Sequence, residues 1–149
     1  MANSFLGSGM KFPPQIDSTT GRIAMVSENE SVKESVYLIL MTQRTERFTR
    51  PEFGSDLLAY TFMDLSNTSI SMLTYRLTET LKEQEPRIGE VNITTENAPG
   101  GGVLLINVDY TVISTNTRDN LVFPFYLNAE PEQETEEPEF YQPEIIEDV

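Results

Sequence analysis

Residues 85–127 read EPRIGEVNITTENAPGGGVLLINVDYTVISTNTRDNLVFPFYL, and they contain the change of period that decides the fold. Pro86 disfavours helical geometry at the residue before it, so a helix that precedes this stretch ends here. Beyond Pro86, Val91, Ile93 and Thr95 alternate with polar residues. Alternation with a period of two is typical of a strand that is buried on one face. The chain therefore passes from helix to sheet at this proline.

Two turns divide the stretch into three strands. The turn at 99–102 is a Pro followed by three Gly, and a long β-branched and aliphatic run follows at 103–113, so the first two strands form a hairpin. Residues 115–120 turn the chain again, and 121–127 form the third strand. Pro124 cannot donate a hydrogen bond to a neighbouring strand, which places this strand at a sheet edge or at a bulge.

Two amphipathic helices precede the strands. Ser27 and Glu30 have the spacing of a capping box, and the apolar stripe that follows predicts a helix over 28–42. Asn67 is the candidate cap of a second long helix. The two stripes consist of Val32, Val36, Ile39 and Leu40, and of Ile70, Leu73, Leu77 and Leu81. Helices followed by a meander of strands predict an α+β domain, with two main helices packed on a mainly antiparallel sheet.

Both ends of the chain differ in composition from the middle. Residues 1–21 contain Gly and Pro breaks with Phe5 and Phe12 between them, which predicts an extended arm that docks on a partner through its aromatic side chains. Residues 130–149 hold nine acidic and no basic residues, and this Pro- and Glu-rich composition is typical of disorder. We therefore divide the chain into a domain over 1–129, which includes the arm, and an acidic tail over 130–149.

The charge of the chain argues against nucleic acid and anionic membrane as partners. The formal net charge is −14, from 24 acidic and 10 basic residues. Subtracting the nine acids of the tail leaves 15 acidic against 10 basic residues, so the domain itself carries only −5. No run approaches the roughly 18 apolar residues that span a membrane, and the N-terminus lacks the pattern of a secretion signal. We expect a protein kept in solution in a cytoplasm.

The residue types that most enzymes use are missing. The chain contains no Cys and no His, which excludes thiolate and imidazole metal sites and the usual pairs of nucleophile and base. With 24 carboxylates, some pair will lie at a catalytic separation in any fold, so an acidic pair has almost no specificity. We expect no enzymatic activity, no cofactor and no metal.

Two charged segments are candidate contact sites for a partner. Glu85, Pro86 and Arg87 place opposite charges on either side of a rigid residue. Arg87 either pairs with Glu85 inside the domain or presents its planar fork to a carboxylate or carbonyl of a neighbouring subunit. The second segment, QRTERFTRPEFGSDL at 43–57, we call the arginine loop.

The arginine loop concentrates three of the ten basic residues of the chain. They are Arg44, Arg47 and Arg50. The loop either balances acids of its own domain or receives an acidic segment of a partner. Its irregular, Pro- and Gly-containing character favours the partner, because binding residues are often found on such loops.

The third strand is the candidate site for strand addition. An edge strand is a liability in a free monomer, but in an assembly it is a template on which another chain can add a strand. One face of the strand is expected to pack on the helices of this domain and the other to point away. The inward residues are Leu121, Phe123, Phe125 and Leu127, and the outward residues are Val122, Pro124 and Tyr126.

Taken in order, these segments resemble the GPW-type baseplate wedge family, which occurs in contractile phage tails, in extracellular contractile injection systems and as the baseplate subunit of type VI secretion. The similarity covers most of residues 5–128, and the acidic tail lies outside it. The motifs are FLGSGMKFP at 5–13, Gly21-Arg22, ESVKESVYLILMTQRTERFTRPEFGSDL at 30–57, EPRI at 85–88, Tyr110, Asn116 and NLVFPFYL at 120–127. Each motif is short, but their ordered combination is specific.

The resemblance implies a scaffold role. Family members sit in the inner baseplate around the tube, contact the wedge core bundle and offer sheet edges on which the first sheath ring assembles. The implied partners are other baseplate wedge proteins, the sheath protein and inner tube or hub proteins, with six copies or a multiple of six in a ring. Such a part would be assembled in the bacterial cytoplasm and carried in a phage virion or a contractile injection particle.

Single positions can also be compared with the family pattern. The Glu-Pro-Arg motif of the family matches Glu85, Pro86 and Arg87 without substitution. Thr45 stands where the family usually has a glycine after the first helix. Two other classes of function remain open: a cell-wall hydrolase, because some family members have been labelled lysozymes, and an adaptor that binds a basic partner through its acidic tail.

Overall fold

Two helices cover one face of a three-stranded antiparallel sheet in this computed structural model, which describes residues 5–62 and 64–127. The predicted α+β fold, with its meander of three strands, is confirmed. The elements in chain order are β1 Ser8–Met10, β2 Met25–Ser27, α1 Glu28–Met41, a 3₁₀ turn Leu57–Tyr60, α2 Asn67–Gln84, β3 Ile88–Asn97, β4 Val103–Val112 and β5 Thr117–Tyr126.

Strand β4 is the centre of the core. It pairs with β3 on one side and with β5 on the other, so all of its backbone groups have neighbours within the sheet. Alternate side chains along it are buried against the helices, and each large one contributes roughly 1.5–3 kcal/mol by leaving water. The buried set is Leu104, Ile106, Val108, Tyr110 and Val112, which meets Leu73, Leu77 and Leu81 of α2 and the whole stripe of α1.

The two helices begin differently from the sequence prediction. The capping box at α1 is wrong, because Ser27 occupies the cap position but its side chain makes no capping hydrogen bond. The next residue, Glu28, has a φ of 56°, so the chain enters the helix through a left-handed step rather than through the usual cap geometry. In α2 the cap is Ser66 rather than Asn67, and the Ser66 hydroxyl accepts a hydrogen bond from the Ser69 N–H at 3.3 Å.

The N-terminal arm runs in extended conformation and doubles back on itself. Strands β1 and β2 pair antiparallel, and Ile16 and Ile23 form a further bridge towards the tip. Leu6 enters the hydrophobic core, which fixes the base of the arm. Phe5 remains 79% exposed, while Phe12 lies against Tyr37 of α1, with 6.1 Å between the ring centroids.

The acidic tail lies outside the described residues, so the boundary after residue 129 stays a prediction. Within the described part of the chain, no helix is both long and apolar enough to cross a membrane. The longest, α2, exposes Arg76, Glu79 and Lys82 along one side.

The arginine loop is fixed by the last residue of α2. The Gln84 side-chain amide donates hydrogen bonds to the carbonyl oxygens of Glu52 at 3.1 Å and of Gly54 at 2.9 Å. Its oxygen accepts one from the Gly54 N–H at 2.8 Å. Gln43 and Ser55 close the base of the loop in a parallel bridge. These contacts hold the loop in one shape although it has no regular secondary structure.

Replacing Gly54 should therefore cost more than an ordinary turn substitution. Gly54 has a φ of +107°, and a Cβ there would overlap the carbonyl oxygen of Thr42. We expect Gly54→Ala to lower the free energy of unfolding by roughly 2–4 kcal/mol, since backbone strain and overlap act together. The control is Gly101→Ala, which has a φ of +75° and open space around its Cβ, and which should cost about 1 kcal/mol. Equal losses in urea denaturation would contradict the close approach at Thr42.

Candidate functional site

The charged motif at the end of α2 forms an ion pair inside the domain. Arg87 Nε donates to Glu85 Oε1 and its terminal nitrogen to Oε2, both at 2.7 Å, so the contact is bidentate. The other terminal nitrogen of Arg87 donates to the carbonyl oxygen of Leu6 at 3.1 Å and to the Ser31 hydroxyl at 3.4 Å. One guanidinium thus ties the arm and α1 to the junction of α2 with β3.

The pair keeps a buried carboxylate charged. The Glu85 side chain is only 3% exposed, and burial by itself raises the pKa of this carboxyl. Hydrogen bonds from Arg87 and Ser35, together with the charge of Arg87, outweigh burial, so the pKa of Glu85 is lowered overall. The hydrogen bond with Glu85 raises the pKa of Arg87 in turn, so the pair is fully ionised at neutral pH.

This geometry answers the question that the sequence left open for Arg87. The fork is directed at Glu85, which is the internal ion-pair alternative. Glu85 is too deeply buried to contact a partner directly, because its neighbours in the fold cover it. Pro86 is exposed and Arg87 is partly exposed, so a partner contact at these two residues stays a prediction.

Strand β5 has one free edge within the described chain. The register pairs Val103 with Tyr126, and the Leu127 N–H donates to the Gly102 carbonyl oxygen at 2.9 Å. Because backbone groups alternate in direction along an antiparallel strand, even-numbered residues of β5 direct their N–H and C=O away from β4. No described group is bonded to the N–H of Val122 or of Tyr126. Pro124 falls on the same outer side, where its missing N–H leaves the pairing with β4 intact.

The side chains of β5 divide between the two faces as the alternation predicted. Phe123 and Phe125 are 6% and 4% exposed and pack under the helices, whereas Val122 and Tyr126 are 49% and 69% exposed. The Phe123 ring also contacts Tyr37, at 5.8 Å between centroids. The strand is therefore a firm part of the core on one face and open on the other.

An apolar groove lies beside this free edge, between β5, the end of α1 and the 3₁₀ turn. Its volume is about 460 Å³. Met41 and Leu58 stand in it while 49% and 58% exposed. The residues that line the groove are Tyr37, Leu40, Met41, Gln43, Leu57, Leu58, Phe123, Pro124, Phe125 and Tyr126. The sequence prediction missed this groove. Met41 and Leu58 were the available signal, because they are apolar residues outside the predicted core stripes.

The arginine loop presents a second surface. Arg47 and Arg50 both lie over the ring of Phe53, with their guanidinium carbons 4.8 and 5.7 Å from its centroid. Neither guanidinium forms an ion pair with a described residue, whereas Arg44 lies 3.8 Å from an oxygen of Asp56. Of the three arginines, Arg44 therefore balances an acid of its own domain, as the first alternative for this loop predicted. Arg47 and Arg50 do not pair with a described acid, so binding of a partner at these two stays a prediction.

The structure brings some of the candidate residues together and separates others. Gln43 and Leu57, the two ends of the arginine loop, both line the groove, so loop and β5 edge form one continuous surface. Arg87 binds at Ser31, about 15 Å along α1 from Met41 at 1.5 Å per residue. The ion pair is thus a separate feature that supports the fold from the other end of α1.

A family model for the baseplate wedge protein gp25 matches residues 26–117, which contain both helices, the arginine loop, the ion pair and most of the sheet. The chain belongs to this baseplate wedge family. The family is a structural component of baseplates, and the resemblance seen in the sequence is confirmed. The match ends within β5, so the outward residues of that strand are outside it.

Solved structures agree with the family. A Geobacter sulfurreducens protein, provisionally named a tail lysozyme, is 39% identical and covers 72% of this chain and 99% of its own, with a TM-score of 0.62. A chain of the anti-feeding prophage baseplate is 20% identical over 85% of this chain and 90% of its own, with a TM-score of 0.57. A chain of the type VI secretion baseplate complex is 19% identical and covers 66% of this chain and 93% of its own, with a TM-score of 0.55. No curated protein sequence matches.

Thr45 in the arginine loop has an unusual backbone conformation. This residue has a φ of 72°. A β-branched side chain is strained there, and glycine is not. A glycine at this position would suit the loop geometry, and this chain carries Thr there at some cost in stability. The loop keeps its shape through the Gln84 hydrogen bonds.

Breaking the ion pair should destabilise the wedge domain. We expect Arg87→Ala to lower the free energy of unfolding by roughly 2–4 kcal/mol, because it leaves the carboxylate of Glu85 buried without its partner. Arg76→Ala is the matched control, since Arg76 is exposed and forms no ion pair in the described chain; it should change stability by less than about 0.5 kcal/mol. Urea denaturation of both variants provides the measurement. If Arg87→Ala is as stable as the control, the pair is not structural and the fork is available to a partner.

Proposed function

We propose that this wedge protein is a structural subunit of the baseplate of a contractile tail or injection particle, and that it anchors the sheath through the free edge of β5. The single observation that carries the proposal is the open backbone edge beside an apolar groove. Membership of a baseplate wedge family supports the placement of this protein in a baseplate. Sheath anchoring is the finer step, and it rests on the geometry of the edge.

The edge offers the two elements that strand addition needs. Outward N–H and C=O groups of β5 supply main-chain hydrogen bonds to any extended segment, which gives generic affinity. The groove supplies selectivity, because alternate side chains of an added strand would point beneath α1 and the 3₁₀ turn, where Met41 and Leu58 are exposed. A terminal strand of a sheath subunit with apolar residues at every second position fits this surface.

Pro124 restricts how such a strand can dock. It interrupts the row of outward donors between Val122 and Tyr126, so an incoming carbonyl opposite it receives no hydrogen bond. Further along, the Asn120 N–H is bonded to the Asp119 carboxylate at 2.8 Å and is not offered either. The edge thus offers the donors of Val122 and Tyr126. Since the backbone of an added strand repeats every two residues, its register would be set by which of its side chains fit the groove.

The remaining contacts would connect the subunit to the rest of the baseplate. Pro86 and the outer side of Arg87, the arginine loop and the arm with Phe5 and Phe12 are the surfaces we assign to other wedge proteins and to tube or hub proteins. Phe48, at the arginine loop, is 99% exposed, which is typical of an aromatic anchor for a partner. Six copies or a multiple in a ring would place these surfaces around the tube.

A cell-wall hydrolase is the second candidate, and the name of the Geobacter sulfurreducens relative favours it. A hydrolase of this type needs a carboxyl group whose pKa is raised, so that it can act as an acid. The described carboxyl groups with displaced pKa values move in the opposite direction. Backbone hydrogen bonding by Thr19 lowers the pKa of Asp17, and the pKa of Glu85 is lowered as described above.

A second proline on the outer edge should separate sheath attachment from folding. Val122→Pro removes an N–H that points away from β4, so the domain should stay folded and soluble, while baseplates that carry it should lack sheath. Val122→Thr keeps the N–H and a β-branched side chain, and it should give sheathed particles. Electron microscopy of particles assembled with each variant is the measurement. Normal sheaths on Val122→Pro baseplates would rule out strand addition at this edge.

The enzyme alternative has a direct assay. We expect purified protein to release no soluble fragments from peptidoglycan at any pH between about 4 and 8, because the pKa values of Asp17 and Glu85 are lowered, which is the opposite of what the acid of a glycoside hydrolase requires. A known muramidase under the same conditions serves as the positive control. Sustained turnover that a Glu→Gln substitution abolishes would contradict a purely structural role.

A further inference from the structure

The apolar groove is uncovered in the described chain. Met41, Leu58 and Tyr126 are each about half exposed or more, side by side with a strand edge that has unpaired donors. An exposed apolar surface next to an open edge is a hazard for a protein that waits in solution before assembly, because other chains can add to it. A cover that leaves when the correct partner arrives would remove this hazard.

The acidic tail begins at this surface. Strand β5 ends at Tyr126, which itself lines the groove, and Leu127 is fixed to Gly102 by a backbone hydrogen bond. The tail, residues 130–149, follows after two residues. A chain of twenty residues can extend over at most about 70 Å, so it can reach every part of the groove and the arginine loop.

The tail also has the composition that this surface requires. Its nine acidic residues are accompanied by no Lys or Arg. Two apolar pairs interrupt the acids, Phe140-Tyr141 and Ile145-Ile146. A segment of this kind offers carboxylates to arginines and apolar side chains to a groove at the same time.

The arginine loop provides the matching charge next to the groove. Arg47 and Arg50 stack near Phe53 and form no ion pair with a described acid, so their donors are available for carboxylates. The hydrogen bonds between Gln84 and Gly54 hold the loop in one shape, so the loop loses little conformational entropy when a segment binds to it. Both of its ends line the groove, so the charge of the loop and the apolar surface of the groove lie within the roughly 70 Å reach of the tail.

We propose that the acidic tail folds back in the same molecule and covers the groove and the arginine loop until a partner strand displaces it. Its carboxylates bind Arg47 and Arg50, and its apolar pairs occupy the groove. The regulatory part of this proposal rests on strand addition at β5, because the tail then competes with the incoming strand. The position of the tail does not depend on it.

A spin label in the tail tests the contact, since the chain has no Cys of its own. With Gln142→Cys labelled, we expect selective loss of amide signal intensity in NMR spectra at Met41, Arg47 and Leu58. Amides on the far edge of the sheet, such as Asn92 and Thr94 of β3, should keep their intensity and serve as the internal control.

Two sets of variants show whether charge holds the tail. Arg47→Glu with Arg50→Glu should restore the lost intensity, and so should Glu136→Gln, Glu137→Gln and Glu139→Gln in the tail. Absent or uniform broadening, or selective broadening that survives both sets, would overturn the proposal. So would equally strong broadening in a mixture in which the spin label and the isotope label are on different molecules, since the contact would then be between two copies of the chain. No sheath protein is present, so this test fails or succeeds independently of the proposed function.

Discussion

The bidentate pair between Glu85 and Arg87 is the interaction on which the arrangement of this wedge domain depends. It lies where the second helix becomes the first long strand, and its guanidinium also binds the arm at Leu6 and the first helix at Ser31. A buried carboxylate tolerates this position only with its partner in place. The pair therefore fixes the relative placement of arm, helices and sheet, and the core of β4 side chains then fills the space between them.

The small size of the sheet leaves the edge of β5 and the groove beside it open to a partner. Three strands leave two edges, and only β4 has neighbours on both sides. The helices cover one face of the sheet but stop short of the outer side of β5, so a groove remains between Met41, Leu58 and Tyr126. In a free monomer such an edge invites aggregation, while in an assembly it can pair with a strand of another chain. The same geometry supports both the anchoring of a partner strand and its cover by the tail.

The end of α2 also fixes the shape of the arginine loop. Gln84 fixes the loop backbone, and the adjacent Glu85 fixes Arg87, so two consecutive side chains organise surfaces on different sides of the domain. The loop requires positive φ angles at Thr45 and Gly54, and this conformation is strained for Thr45. A loop that keeps a strained form is able to present an exposed aromatic such as Phe48 with little loss of entropy on binding. This separates it from an ordinary flexible connection.

The sequence alone determined the helices, the meander and the inward and outward faces of β5, because hydrophobic period is a local property. The missing N–H of Pro124 left this strand at an edge or at a bulge, and the sheet order decided for the edge. The sequence left Arg87 undecided between two partners, and it placed a capping box at Ser27 that does not form. It did not find the groove, nor the hydrogen bonds from Gln84 to Gly54. These depend on residues that lie far apart in the chain. Only packing decides which long-range partner a side chain meets, and periodicity carries no information about that choice.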